Sequence, residues 1–370
     1  MSNYPLISTV GVEFEVENIT AQDIGRRLDG NFRQTHDASI ETDVILRPSG
    51  IIIKSAGDIL TQRRNNITLG TEIITVPFDT ESKSILNSFK FLTQLLMEMG
   101  EPEKSLRAGI HIHVNMSYNL KILKSILRLG RFLEDVFFLI GTQGYVFRGM
   151  KVNESAYCRP ITKWGPQCVT THGGVTQVFN IDDLLKATSV EEFWWRYGSL
   201  YVSENSQYQR YTPQRYTWLN LYSLLQHGTL EFRLFNKTLS PYRINAEISF
   251  CQKFCEYAIM NGFSDLKEDM MIEENSVYDE RPRNAIIETF IHFAEKVKLG
   301  DKNTSILLDI LINAPMVILP HTYIWTHLEA QRDWWSSHTP NYRPPQISRD
   351  EIHTALIQDL HTLRGERRPN

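Results

Sequence analysis

The 370-residue chain has no G-x-x-x-x-G-K-[ST] loop and no G-x-G-x-x-G turn, so a glycine-cradled phosphate of the P-loop or dinucleotide kind is excluded. It also has no H-E-x-x-H pair, which argues against a compact catalytic zinc site. Cysteine is scarce. The four, Cys158, Cys168, Cys251 and Cys255, form no C-x-x-C knuckle, and Cys251 and Cys255 fall one helical turn apart in an apolar stretch that suits buried free thiols. A reducing cytoplasm is the expected compartment. The segment Met1 to Val10 lacks the basic and apolar regions of a secretion signal, and no run approaches the roughly 18 apolar residues of a membrane span. Excess charge is missing too: 39 basic against 43 acidic residues leave -4, so the molecule is not built as a binder of polyanions and nucleic acid is not indicated. Repeats and low-complexity tracts are absent.

What is present is ordinary globular material, 42% hydrophobic and 22% charged, long enough for about two domains at roughly 150 residues each. Four segments alternate apolar and polar residues with the period of a half-buried strand: Ser8 to Glu17, Ile67 to Val76, Ala108 to Asn115 and Thr229 to Phe235. Helical periodicity marks Lys83 to Met99, Leu120 to Ile140, a short stretch near Val190 to Gly198, and Pro241 to Met260. A turn is expected at His227-Gly228. Past an acidic linker, helices are expected around Pro282 to Lys298, Ser305 to Ile318 and Arg349 to Leu363. Strands separated by helices, followed by a helical tail, predict an α+β core over residues 1–262 and a helical C-terminal extension over 263–370.

The strands carry an unusual set of side chains. Residues i and i+2 of a strand share a face, so Glu13 and Glu15 project together while Val12, Phe14 and Val16 point the other way. Two carboxylates side by side repel unless a cation lies between them, and oxygen ligands suit magnesium or manganese. The bland alternative is a solvated acidic edge. His111 and His113 repeat the geometry behind Ala108-Gly109, a backbone that permits close approach of a ligand. Glu231 and Arg233 repeat it again, and Glu72 is a lone acid among β-branched residues, where carboxylates are depleted. Four alternating strands presenting Glu, His and Arg from one face are not an ordinary surface; the acids and imidazoles suit metal ions, and the arginine suits phosphate. Further candidates for phosphate are Arg148, Lys151, Arg159, Lys163, Arg210 and Arg215, each also readable as a surface cation.

Taken in order, GVEFEVE, HDASI, LGTEIITVP, AGIHIHVN, YCRP, RYTWLNLYSL and GTLEFRLFNKTL resemble the successive motifs of the putative amidoligase family, which is similar in fold to glutamine synthetase and glutamate–cysteine ligase. The resemblance runs from about Gly11 to Thr238. It implies a curved antiparallel sheet with the active site on its concave face and helices packed on the other. It also implies an ATP-dependent ligase in which a carboxylate is phosphorylated and an amine then forms the amide. Carried over residue by residue, Glu13 and Glu15 would divide between two metal ions (Mg2+ or Mn2+), with Glu72 sharing the ion of Glu15, and His111 and Glu231 that of Glu13. His113 would sit near the nucleotide phosphates and Arg233 would contact the γ-phosphoryl group, while Arg215 and Asn220 would line the nucleotide pocket. On this reading Glu13, Glu231 and Arg233 carry the chemistry.

Two departures stand out. An insertion over residues 41–66 separates HDASI from the Glu72 strand, which leaves Asp37 and Ser39 as either substrate contacts or turn caps. The part after Asp265 has no counterpart in the family pattern. A metal-dependent phosphotransferase on the same sheet is the alternative reading, and a non-catalytic binding module a third. Candidate acids and amines span amino acids, peptides, polyamines and modified macromolecules, and the aromatic and basic stretch Gly141 to Gln214 is where selection among them is expected.

Overall fold

A computed structural model describes residues 9–16, 19, 23–24, 27, 44–45, 52–63, 66–75, 77–79, 84–101, 104–142, 145–147, 150–151, 158, 161, 181–197, 217–260, 280–313 and 317–319. The strands are β1 (Val10–Val16), β2 (Val44–Ile45), β3 (Ile52–Arg63), β4 (Asn66–Thr75), β5 (Lys104–Asn115), β6 (Tyr145–Phe147), β7 (Met150–Lys151), β8 (Leu219–Asn220), β9 (Thr229–Thr238) and β10 (Val317–Leu319). The helices are α1 (Ser84–Glu98), α2 (Leu120–Thr142), α3 (Ile181–Leu185), α4 (Val190–Arg196), α5 (Tyr222–His227), α6 (Pro241–Met260), α7 (Glu280–Val297) and α8 (Asp301–Asn313). The fold is α+β. Seven strands form one sheet in the order β2-β3-β4-β1-β5-β9-β8, every pairing antiparallel. β10, β6 and β7 form a second, small sheet.

β1 shows why the sequence folds this way. Its even positions, Val12, Phe14 and Val16, are buried at 2% exposure or less, while the intervening residues are half-buried on the opposite face. On the apolar side α2 and α6 cover the sheet. Phe137 of α2 stacks on Phe232 of β9 at 5.5 Å between ring centroids and on Phe250 of α6 at 4.5 Å. Burying each such ring contributes about 1.5–3 kcal/mol, and the offset ring geometry adds to it. Gly141 closes α2 against β9, because a Cβ there would lie 2.7 Å from the Leu234 carbonyl oxygen.

Local chemistry sets the ends of these elements. Asn119 caps α2, its side-chain oxygen accepting the Ile122 N–H at 2.9 Å. Gly228, at φ 69, ends α5 in the left-handed conformation and returns the chain into β9, the turn expected at His227-Gly228. Helices α7 and α8 join the same core. Phe290 and Phe293 meet Phe250 edge-on at 5.7 and 5.9 Å, and Leu307 and Leu311 are fully buried. The helix expected over Arg349 to Leu363 lies outside the described residues.

β3 has no forerunner in the sequence reading. It pairs with β4 from Ile53↔Thr75 to Arg63↔Asn66, with a register shift between Ile53 and Ser55. The run Ser55-Ala56-Gly57-Asp58 breaks the alternation that marks the other strands, and the shift resets which residues face which way.

Candidate active site

Strand register assembles the site. Glu13 of β1 lies opposite His111 of β5, Glu15 lies opposite Glu72 of β4, and Gly11 lies opposite His113. On the other side of β5, His113 faces Glu231 of β9, which in turn faces Asn220 of β8. Four strands thus deliver the acids, imidazoles and guanidinium to one face, opposite the core.

The contacts converge on Glu13. Its carboxylate lies 3.0 Å from His111 Nδ1 and 3.2 Å from His113 Nε2. The latter is buried yet makes no hydrogen bond. Glu231 Oε1 is 3.8 Å from each of His111 Nδ1 and His113 Nε2, and it accepts from Arg233 Nη1. Glu15 is 4.0 Å from His111 Nε2 and accepts the Gly109 N–H at 2.8 Å. A Cβ on Gly109 would sit 3.5 Å from that carboxylate and 3.6 Å from His111 Nε2, so a larger residue would narrow the floor of the site.

Behind these groups stands an ordered support. Asn220 donates to Glu231 Oε2 at 2.5 Å and accepts from the Tyr222 N–H at 3.0 Å, which fixes the carboxylate's rotamer. His113 Nδ1 meets Thr229 Oγ1 at 3.1 Å, and Thr229 in turn meets Ser223 Oγ at 2.9 Å, so Nε2 is the nitrogen turned toward Glu13 and Glu231. That arrangement is the one by which a ligating histidine is oriented through its other nitrogen.

Electrostatics separate the acids. Burial pushes the Glu13 carboxyl up, but the charge of His113 and the hydrogen bond from His111 hold it well below the usual range. Burial likewise acts on Glu231, and the Arg233 and His113 charges overcome it and lower that carboxyl. For Glu72 the help of the Arg233 charge is too small: burial, then the charges of Glu13 and Glu15, push it well above the ordinary value. His113 is raised, since Glu13 and Glu231 outweigh the burial that would lower it.

Two trios of ligand atoms lie within 4.8 Å of one another, Glu13–Glu72–His111 and Glu13–His113–Glu231. They group the residues differently from the sequence expectation: Glu72 falls with Glu13 rather than with Glu15, and His113 joins Glu13 and Glu231. These groups fit hard divalent cations. Carboxylates dominate, one imidazole nitrogen is buried without a hydrogen bond, and the Glu72 carboxyl is pushed up by burial and by the Glu13 and Glu15 charges, which a cation would offset.

Of the expected site residues, Glu13, Glu15, Glu72, His111, His113, Asn220, Glu231 and Arg233 come together. Arg215 lies outside the described residues, as do Asp37, Ser39, Arg148, Arg159, Lys163 and Arg210, while Lys151 lies in β7. The sequence reading passed over Thr229, Ser223 and Glu134. Only Glu134 left a signal, as an acid on the apolar face of α2 between Leu133 and the Val136–Ile140 run.

Residues 7–255 match the model of a family described as putative amidoligase enzyme. No curated protein matches the chain.

Proposed function

We propose that this chain, which belongs to the putative amidoligase family and is thereby a ligase-type enzyme, forms an amide from a carboxylate and an amine with ATP as the energy source. The observation that carries this reading is the position of Glu13. It stands in both ligand trios, beside a buried arginine held by a member of the second trio. Two cation positions sharing one carboxylate, with a fixed guanidinium alongside, suit phosphoryl transfer, which asks a protein mainly for charge neutralisation and alignment.

In the proposed reaction an oxygen of the substrate carboxylate attacks the γ-phosphorus of ATP and ADP leaves. The amine nitrogen then attacks the carbon of the acyl phosphate, phosphate departs, and the nitrogen loses one proton. Magnesium or manganese ions held by the two trios would neutralise the phosphate oxygens. Glu15 tethers the Gly109 backbone, Asn220 holds Glu231, and Arg233 presents its guanidinium to the phosphoryl group in flight. Consumption of ATP by a protein whose Cys158, Cys251 and Cys255 are free thiols is consistent with a cytoplasmic setting. Among the described residues no helix is long and apolar enough to cross a membrane.

Incubating the chain with ATP, magnesium and a library of carboxylates and amines is expected to yield ADP, phosphate and a new amide in equal amounts. Release of AMP and pyrophosphate overturns the acyl-phosphate route.

Metal binding provides a second test. A cation needs ionised carboxylates and a neutral imidazole, whereas the Glu72 carboxyl and the His113 imidazole are both shifted toward their protonated forms. Manganese binding near pH 7 is therefore expected to release protons and to tighten by up to about tenfold per pH unit for each proton displaced. The gain levels off once the pH passes the raised His113 value. The metal-free protein runs the other way. Because His113 is raised on folding, its stabilisation is complete below the ordinary histidine value of about 6.5 and is lost as pH rises through the raised one. Calorimetry in buffers of different ionisation enthalpy reads the protons, and binding without proton release counts against these ligands.

A further inference from the structure

Arg233 occupies an irregular place in β9. Ile112 pairs with Phe232 and Ile110 with Phe235, so Arg233 and Leu234 together stand opposite the single residue His111. Such a bulge removes ladder hydrogen bonds and leaves the direction of its side chains to other contacts. Here the contacts come from outside β5. The Arg233 N–H donates to the Trp218 carbonyl oxygen at 2.8 Å, and the Cys158 thiol donates to the Arg233 carbonyl oxygen, also at 2.8 Å.

Both partners trace to one buried atom. Glu134 Oε2, in α2, accepts the indole N–H of Trp218 at 2.9 Å and the Ile161 N–H at 2.6 Å, three residues beyond Cys158. One turn earlier, Gly130 leaves room for both segments. A Cβ there would lie 2.8 Å from Ile161 Cδ1 and 3.0 Å from Leu219 Cδ2. The helix surface made by Gly130 and Glu134 is a seat for Ile161 and the 217–220 segment, while Cys158 and Trp218 grip the two sides of the Arg233 peptide.

We propose that Glu134 is a positioning residue for Arg233: through Trp218 and Cys158 it fixes the β9 bulge so that the guanidinium faces the metal-ligating carboxylates. The functional half of this rests on the reading above, in which Arg233 meets the transferring phosphoryl group; the structural half does not. Glu134 touches no reacting atom. It acts by holding the backbone where the β5–β9 ladder is interrupted.

Two measurements on the full chain test it. Amide hydrogen exchange reads the clamp in a peptide covering 229–238, with 66–75 as the internal control. The affinity ratio between a non-hydrolysable ATP analogue and ADP, with manganese, reads the γ-phosphoryl contact. Glu134→Ala is expected to speed exchange in 229–238 but not in 66–75, and to lower the ratio by about tenfold, the size of one charge-assisted contact to phosphate. Arg233→Ala is expected to lower the ratio at least as far, with ADP affinity retained in both. If Glu134→Ala does not fold, Cys158→Ala carries the same two readings. Unchanged exchange overturns the clamp. Faster exchange with an unchanged ratio, while Arg233→Ala lowers it, overturns the positioning role. If Arg233→Ala leaves the ratio as in the unaltered chain, the phosphoryl reading of Arg233 fails, and exchange still decides the clamp.

Discussion

Glu13→Ala is expected to lower turnover, followed as ADP and phosphate release at saturating magnesium, by at least about a thousandfold, or roughly 4 kcal/mol of transition-state stabilisation. The size follows from position. Glu13 is the only acid common to both ligand trios, so its loss takes an oxygen from both cation positions at once, whereas loss of Glu72 or Glu231 weakens one. Stability is expected to change far less, because two effects oppose. The Glu13 carboxyl is held low by its histidines, so it contributes stability above the ordinary carboxylate pKa, and that contribution disappears. Yet Glu72 is raised partly by the Glu13 charge, a penalty at neutral pH that is relieved when Glu13 is gone. The two leave a net change of about 1–2 kcal/mol in either direction at pH 7. Manganese titration followed by electron paramagnetic resonance should show fewer bound ions than in the unaltered chain. A Glu13→Ala protein that keeps more than about a tenth of the turnover would remove Glu13 from the chemistry.

The parts of this arrangement that a reader of the sequence can find are those governed by period. In β1, β4, β5 and β9 the alternation placed the acids and imidazoles of the site on a common face, because the core leaves no freedom in which side points inward: Phe14, Ile110 and Phe232 are fully buried. What period cannot give is register. That Glu13 lies across from His111 and Glu15 from Glu72 depends on how strands pair, and one residue of slip would have built different trios. β3 was missed because Gly57 and Asp58 interrupt its pattern. The support behind the site was hidden for another reason. Thr229, Ser223 and Glu134 act through hydrogen bonds whose partners are mostly distant in the chain, and a hydroxyl or a carboxylate has no signature until its partner is known. Glu134 did break the apolar pattern of α2, and a carboxylate on a buried helix face must find donors. Which donors, no spacing could say.

Arg233→Ala is the second large effect, and it separates catalysis from binding. The guanidinium is nearly buried, with one nitrogen donating to Glu231 and its Nε without a hydrogen bond, a free donor beside the carboxylates that would hold the cations. Because it meets charge that grows as the phosphoryl group moves, its removal is expected to lower kcat by about 10³-fold, within the range known for arginines that serve phosphoryl transfer, while KM for ATP rises by only about tenfold, the ground-state part of the same contact. Arg233→Lys should fall between. An ammonium can neutralise Glu231 or reach the phosphate, but it lacks the planar fork that does both. Stability moves as well. Without Arg233 the buried Glu231 keeps Asn220 and the more distant His113 charge, a loss of about 3 kcal/mol in the metal-free protein. Its pH dependence has a definite sign. Glu231 is lowered on folding chiefly by overcoming burial with the Arg233 charge, so its stabilisation exists above the ordinary carboxylate pKa and is lost as pH falls through the lowered value. Removing Arg233 lets that carboxyl rise, so the stabilisation it supplies above the ordinary carboxylate pKa shrinks and less is lost on acidification. Urea unfolding at pH 3 and pH 7 should therefore differ less in Arg233→Ala than in the unaltered chain. A variant with kcat within tenfold of the original would leave Arg233 as an anchor for Glu231 and nothing more.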